Sequence, residues 1–205
     1  MPLIYKEEFE HQQVLAIWKW EEEIEEGIQA LNLGENQFAE FHQIKHVKRQ
    51  KEWLAARLLL QELKFNYTIS YLPNGKPVAT DGPFFSLSHC LPYVGVTTHA
   101  NSVGLDIQKP EEKMLRIKTK FGHPQELEQA IKSTNELNYI SILWSAKEAI
   151  FKVYGENILF AEELRIEPFS LEDSLIHAHY ITKGKKHYHA LHKMQIDGHW
   201  ILTTI

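Results

Sequence analysis

The strongest constraint on the fold is the order in which periodicities follow one another along the chain. Residues 138–153 keep an apolar face at helical spacing through Ile142, Ala146, Ala149, Ile150 and Val153, with no proline or glycine inside. From residue 164 onward that period gives way to strand-like stretches over 164–166, 178–181, 187–194 and 200–203. The earlier chain mixes the two. A strand is expected over 14–20, a helix over 21–33 stopping at Gly34, and a long helical pattern over 38–65 with a break near His46. Short strands are expected over 67–72 and 78–80 around the turn Pro73-Asn74-Gly75-Lys76-Pro77, then over 84–87, 93–98 and 103–107. Helices are expected over 111–118 and 124–132. A chain that interleaves helices and strands and then closes on antiparallel hairpins is α+β. The pattern divides near residue 102, into halves of 1–101 and 102–205.

Composition narrows the functional class. The 205 residues are 43% hydrophobic and 24% charged, the balance of a soluble globular protein with a real core. One cysteine, Cys90, makes neither an internal disulfide nor a zinc site. The first residues lack the apolar stretch of a signal peptide, and no apolar run is long enough for a membrane span, so a cytoplasmic setting is expected. A formal net charge of -5 argues against a general nucleic-acid binder. Against that acidic background, 42–57 is basic, with Lys45, Lys48, Arg49, Lys51 and Arg57; it reads either as a local anion site or as a solvated helix face.

Two acidic stretches carry the chemistry. In Gly104-Leu105-Asp106-Ile107-Gln108, strand alternation puts Asp106 and Gln108 on one face and Leu105 and Ile107 on the other. A carboxylate at the end of an apolar strand needs compensation, which a hard metal ion supplies; the plainer alternative is a turn residue before Pro110. In Trp144-Ser145-Ala146-Lys147-Glu148-Ala149-Ile150-Phe151-Lys152, Glu148 and Lys152 lie one helical turn apart. They read as a surface ion pair, or as an acid that holds a metal beside a base that meets phosphate.

Taken together, the two stretches resemble the paired signatures of the 4′-phosphopantetheinyl transferases, G-[I/V]-D-x-[E/D] and [F/W]-[S/T/C]-x-K-E-[A/S]-x-x-K. Asn74-Gly75-Lys76-Pro77 and Phe85-Ser86-Leu87-Ser88-His89-Cys90 resemble two further elements of that family, in the family's order, and the basic segment resembles its N-terminal arginine helix. The resemblance spans about residues 45 to 155 and is to the larger, monomeric type. It implies a pseudo-dimer of two similar α+β halves with coenzyme A in the cleft between them. It further implies transfer of the phosphopantetheine of coenzyme A to a serine of an apo acyl or peptidyl carrier protein, releasing adenosine 3′,5′-bisphosphate. Under the same resemblance Asp106 and Glu148 hold Mg²⁺ (or Mn²⁺), Glu148 takes the serine proton, and Lys152 binds the diphosphate. Ser88 and His89 contact coenzyme A phosphates, and Gly75, Lys76 and Pro77 lie near the adenine. Arg49, with Arg57, completes the 3′-phosphate pocket. Lys147 either assists or faces solvent, and Glu126 resembles a further acid between the motifs.

One position departs from the pattern. Gln108 stands where many members carry an acid; its amide oxygen can still face a metal or its water but adds no charge. Two alternatives stay open: a coenzyme A or carrier-protein binding module with impaired catalysis, suggested by Gln108, and an Mg²⁺-dependent phosphohydrolase, which leaves the Gly-Lys-Pro and Ser-His elements unexplained. The late histidines His177, His179, His187, His189 and His192 read as scattered along exposed strands or as a transition-metal cluster.

Overall fold

The computed structural model describes residues 3–72, 75–155 and 158–205. The first part of the chain supplies β1 (Leu3–Glu8), β2 (Val14–Lys19), α1 (Ile24–Leu31), α2 (Glu35–Gln43), α3 (Val47–Glu62), β3 (Ile69–Tyr71), β4 (Pro77–Ala79), β5 (Phe84–Cys90) and β6 (Tyr93–His99). The second supplies β7 (Leu105–Gln108), α4 (Lys113–Ile117), α5 (Pro124–Lys132), α6 (Glu136–Tyr154), α7 (Phe160–Glu163), β8 (Leu164–Ile166), β9 (Leu175–Thr182), β10 (Lys185–Ile196) and β11 (His199–Thr204). Two separate antiparallel sheets result, ordered β1-β2-β6-β5 and β7-β11-β10-β9-β8, with β3 and β4 forming a small ribbon. The fold is α+β.

Three apolar clusters hold these layers. In the first, α3 lays Leu54, Ala55, Leu58 and Leu59 against Ala16, Trp18, Val94 and Val96 of the first sheet. In the second, α6 lays Ile142, Ala146, Ala149 and Ile150 against Ile176, Ala178, Leu191 and Leu202 of the second sheet. In the third, Leu15, Ile17 and Tyr93 of the first sheet meet Leu105, Ile107 and Ile201 of the second. Each fully buried Leu or Ile contributes about 1.5–3 kcal/mol, so the third cluster is a substantial bond between the sheets.

Polar groups complete that bond. The edge strand β7 has backbone N–H groups that no neighbouring strand meets. Leu105 N donates to Ser86 Oγ at 3.1 Å and Ile107 N to Ser88 Oγ at 3.0 Å, so hydroxyls of β5 replace a backbone ladder. Gln13, 2% exposed, donates through Nε2 to Thr97 Oγ1 at 3.2 Å, Thr203 Oγ1 at 3.2 Å and the Thr204 carbonyl at 2.7 Å. Gly104 lets β7 reach α6: a Cβ there would stand 1.8 Å from the Ala149 carbonyl oxygen.

A buried ion pair fixes α6 from its other side. Lys147 is fully buried and donates to Glu126 Oε2 at 2.7 Å and to the carbonyls of Phe121, Phe160 and Leu164 at 2.9, 2.8 and 3.0 Å. Glu126 accepts in addition from His123 N and Ile166 N. Burial pulls the Lys147 ammonium down to about 8 although Glu126 opposes the fall. Lys147 therefore faces the core, correcting the expectation that it either assists at the site or faces solvent, and Glu126 is its partner rather than a further site acid.

Most expected elements are present, and the break near His46 is there: His46 is the N-cap of α3. The first helix stops at Asn32 in the left-handed conformation, not at Gly34, which instead opens α2. β1 and α7 were not expected. β1 carries Lys6, Glu7 and Glu8 at a sheet edge, where charge replaces an apolar pattern. α7 has four residues, too few for a period to register. Pro73 and Asn74 of the expected turn lie outside the described residues; Gly75, at φ +81°, occupies the left-handed region that a tight turn needs. Among the described residues no helix is long and apolar enough to cross a membrane.

Two substitutions test these constraints. Gly104→Ala should lower unfolding free energy by about 3 kcal/mol, read from urea midpoints, because backbone must move to admit the methyl group. Lys147→Met should cost about 3–5 kcal/mol by leaving Glu126 buried without its cation, and adding Glu126→Gln should recover part of the loss.

Candidate functional site

Helical spacing puts Ser145, Glu148 and Lys152 on one stripe of α6, at i, i+3 and i+7. The stripe faces β7. Asp106, 7% exposed, accepts from Ser145 Oγ at 2.8 Å through Oδ2, and from Ser88 Oγ at 3.1 Å and Lys152 Nζ at 3.0 Å through Oδ1. Lys152 also donates to Ser88 Oγ at 3.1 Å and the Leu105 carbonyl at 2.7 Å, which occupies all its N–H groups. Ser88 donates to Asp106 and accepts from Ile107 N and Lys152, so its hydroxyl is fully used. Three distant stretches thus meet at the junction of the two sheets.

Glu148 stands beside this knot on different terms. It is partly buried, and among the described residues its carboxylate receives no hydrogen bond. Burial, then the negative charge of Asp106, pushes its carboxyl up to about 7, with Lys152 pulling the other way. Two neighbouring carboxylates, one without a donor, form a set of hard oxygen ligands that suits a divalent cation such as Mg²⁺. Gln108 donates through Nε2 to the Lys109 carbonyl at 2.6 Å, which leaves its amide oxygen to serve a cation or a bound water. Among the described residues no group of three or more His, Cys, Asp or Glu side chains is disposed to hold a metal, so the set has two acids rather than three. Glu148 also forms part of the wall of a pocket of about 410 Å³ lined by Phe121, Trp144, Leu159 and Phe160.

A second polar cluster adjoins the first. Ser88 and His89 are neighbours on β5, and alternation turns His89 toward α3. Arg49 Nη1 lies 3.2 Å from His89 Nε2 and donates to Glu52 Oε2 at 3.0 Å, while His89 Nδ1 lies 3.2 Å from Glu52 Oε1. Burial lowers the His89 pKa, and Arg49 and Lys152 add to the fall; Glu52 opposes it. Arg49 and His89, expected to work together, are in contact across forty residues of sequence. Arg57 is not with them. It pairs with Glu40 at 3.1 Å and lies 3.3 Å above the Trp53 ring, about two turns along α3 from Arg49. Arg57, expected to complete the 3′-phosphate pocket with Arg49, is held here by Glu40 and Trp53.

The Gly-Lys-Pro turn reaches α6 directly. Lys76 Nζ donates to the carbonyls of Lys152 at 2.6 Å and Val153 at 3.2 Å, placing a cation at the negative end of the helix dipole. Burial lowers its pKa. Lys76 and Pro77 line a pocket of about 160 Å³ with Phe85 and Val103. Gly75 lies one residue outside that pocket.

The late histidines divide between the two faces of the β9–β10 hairpin. His187 and His189 share one face, where His189 Nε2 lies 2.8 Å from the Tyr154 hydroxyl, and His177 and His179 take the other. Two contributors to the site escaped sequence reasoning. Ser145 sits on the stripe of Glu148 and Lys152, a spacing signal that was available. Glu52 follows Lys48 and Arg49 by four and three residues, a pattern equally typical of a solvated helix face.

Residues 102–205, half of the chain, match the 4′-phosphopantetheinyl transferase superfamily. No curated protein matches the chain. The matched stretch holds β7 with Asp106 and α6 with Ser145, Glu148 and Lys152, the elements that build the polar knot. The chain belongs to the 4′-phosphopantetheinyl transferase superfamily.

Proposed function

We propose that this protein is a phosphopantetheinyl transferase of the larger, monomeric type, in which one chain carries both halves of the site. The halves 1–101 and 102–205 act as a pseudo-dimer of similar α+β units with coenzyme A in the cleft between them. The first half supplies contacts to the adenine and the phosphates, and the second the metal-binding and catalytic groups. The acceptor is a serine of an apo acyl or peptidyl carrier protein. The observation that carries this reading is the hydrogen-bonded triangle of Ser88, Asp106 and Lys152, drawn from three motif stretches and set beside Glu148 one helical turn from Lys152.

Asp106 and Glu148 would hold Mg²⁺, with the Gln108 amide oxygen or a water completing the protein side. When bound, the ion withdraws charge from the diphosphate and steadies the leaving phosphate. Ser145 and Ser88 keep the Asp106 carboxylate in one orientation. Lys152 would exchange one of its three contacts for a diphosphate oxygen, acting as a point charge. Glu148 would accept the proton of the carrier serine as its oxygen bonds to the pantetheine-side phosphorus. The phosphorus–oxygen bond to adenosine 3′,5′-bisphosphate breaks in the same displacement. Among the described residues no hydrogen bond reaches the Glu148 carboxylate, so its oxygens are open to both the ion and the incoming proton. Arg49 and His89 would take the 3′-phosphate, Ser88 would add a phosphate contact, and Gly75, Lys76 and Pro77 would flank the adenine.

Mixing the protein with coenzyme A, Mg²⁺ and an apo carrier protein, then weighing the carrier, tests the proposal. The expected result is a gain of one phosphopantetheine group per carrier, with Glu148→Ala slowing it by about 10²–10⁴-fold. Coenzyme A binding without a mass gain, or phosphate release without a carrier, overturns it. The Mg²⁺ concentration for half-maximal rate should fall as pH rises through about 7, because the Glu148 carboxyl loses its proton there. Gln108→Glu should lower that concentration further by adding a charge; a folded but inactive Gln108→Glu protein would contradict the assigned metal set.

A further inference from the structure

Glu52 has no part in the reading above, yet the Arg49–His89 pair is built on it. Its side chain is 4% exposed, whereas those of Arg49 and His89 are 63% and 38% exposed. The acid lies behind and the two donors lie in front. One carboxylate oxygen takes Arg49 at 3.0 Å; the other takes His89 Nδ1 at 3.2 Å, with Lys48 at 3.9 Å. As a stability device this is poor, because a buried acid paired only with exposed cations gains little. As a mount for two donors it is well made.

Resting on the transferase reading and its 3′-phosphate pocket, we infer that Glu52 is a positioning residue that makes the protein select coenzyme A over a donor lacking the 3′-phosphate. Arg49 can only donate, so Nε2 accepts from it and Nδ1 carries the ring proton in the free protein, 3.2 Å from Glu52 Oε1. A phosphate arriving at the exposed edge draws Arg49 to itself. His89 Nε2 then faces an anion and takes a proton from solvent to donate to it. Four charged groups bear on that proton. Arg49 of α3 and Lys152 of α6 oppose it, Glu52 of α3 favours it, and Lys48 acts on Glu52 from the far side. Glu52 is thus the one group among them that both holds the ring and stabilises its charge. With a neutral side chain at position 52, the phosphate meets an unanchored Arg49 and an imidazole kept uncharged by burial and its cationic neighbours.

The test compares coenzyme A with dephospho-coenzyme A in the carrier-mass assay, for wild type, Glu52→Gln and His89→Gln. Calorimetry of both donors in two buffers of different ionisation heat is run alongside. Wild type should prefer coenzyme A and take up protons on binding it near neutral pH, but not on binding the dephospho form. Glu52→Gln, nearly isosteric, should lose about tenfold or more of the preference, chiefly through KM for coenzyme A, and should lose the proton uptake. His89→Gln should behave alike. A Glu52→Gln protein that keeps the preference, or that weakens for both donors equally, overturns the inference by reducing Glu52 to a structural part. A wild type that uses both donors equally overturns it while leaving the transferase reading intact. A wild type that uses neither sinks the transferase reading and the inference with it.

Discussion

The molecule depends on how two sheet edges are joined. Edge strands ordinarily present unpaired N–H and C=O groups, and a buried edge must satisfy them. Here β7 receives two serine hydroxyls from β5, and one of these, Ser88, also donates to Asp106 and accepts from Lys152. The hydroxyl that closes the structural gap is therefore the same one that orients the acid of the site. A hydroxyl offers one donor and two acceptor positions, and Ser88 uses all three. That economy explains why the polar knot lies at the seam between the two sheets.

Helix α6 shows the same coupling of support and chemistry. Adjacent residues on a helix diverge by about 100°, so Lys147 and Glu148 serve different neighbourhoods. Lys147 ties the helix to α5, α7 and β8, while Glu148, beside Asp106, receives no hydrogen bond among the described residues. A site acid kept poised in this way needs a scaffold that does not relax around it. The buried ion pair on one side, the close approach at Gly104 and the Lys76 cap at the helix end supply that scaffold.

Much of this was legible in the order of residues. Period alone located α5 and α6 to within two residues and the break before α3, because long apolar stripes register clearly. Alternation correctly separated Asp106 from Leu105 and Ile107, since a strand with one face in a core admits a single phase. Other features depend on what lies across space. The direction of Lys147 follows from where α7 and β8 pack, and the company of Arg57 from where α2 brings Glu40. Nothing local marks Glu52 as buried, because His89, which meets its carboxylate, comes from β5 in a distant stretch of sequence. Gln13 was silent for the same reason: its partners Thr97, Thr203 and Thr204 all stand far along the sequence.

The Gln13 bridge has a consequence for how the molecule comes into being. Its partners, Thr203 and Thr204, are 190 and 191 residues away, and the Lys76 cap spans 76 and 77. Contacts of such separation are late and slow to form, because loop-closure entropy is lost before they give anything back. During synthesis the first sheet can assemble early, but its seam stays open until β11 has left the ribosome. Until then the apolar back of β2 and β6 lacks Ile201, and Gln13 lacks Thr203 and Thr204. The interval between those two events is when this chain is most exposed to misassembly and to chaperones.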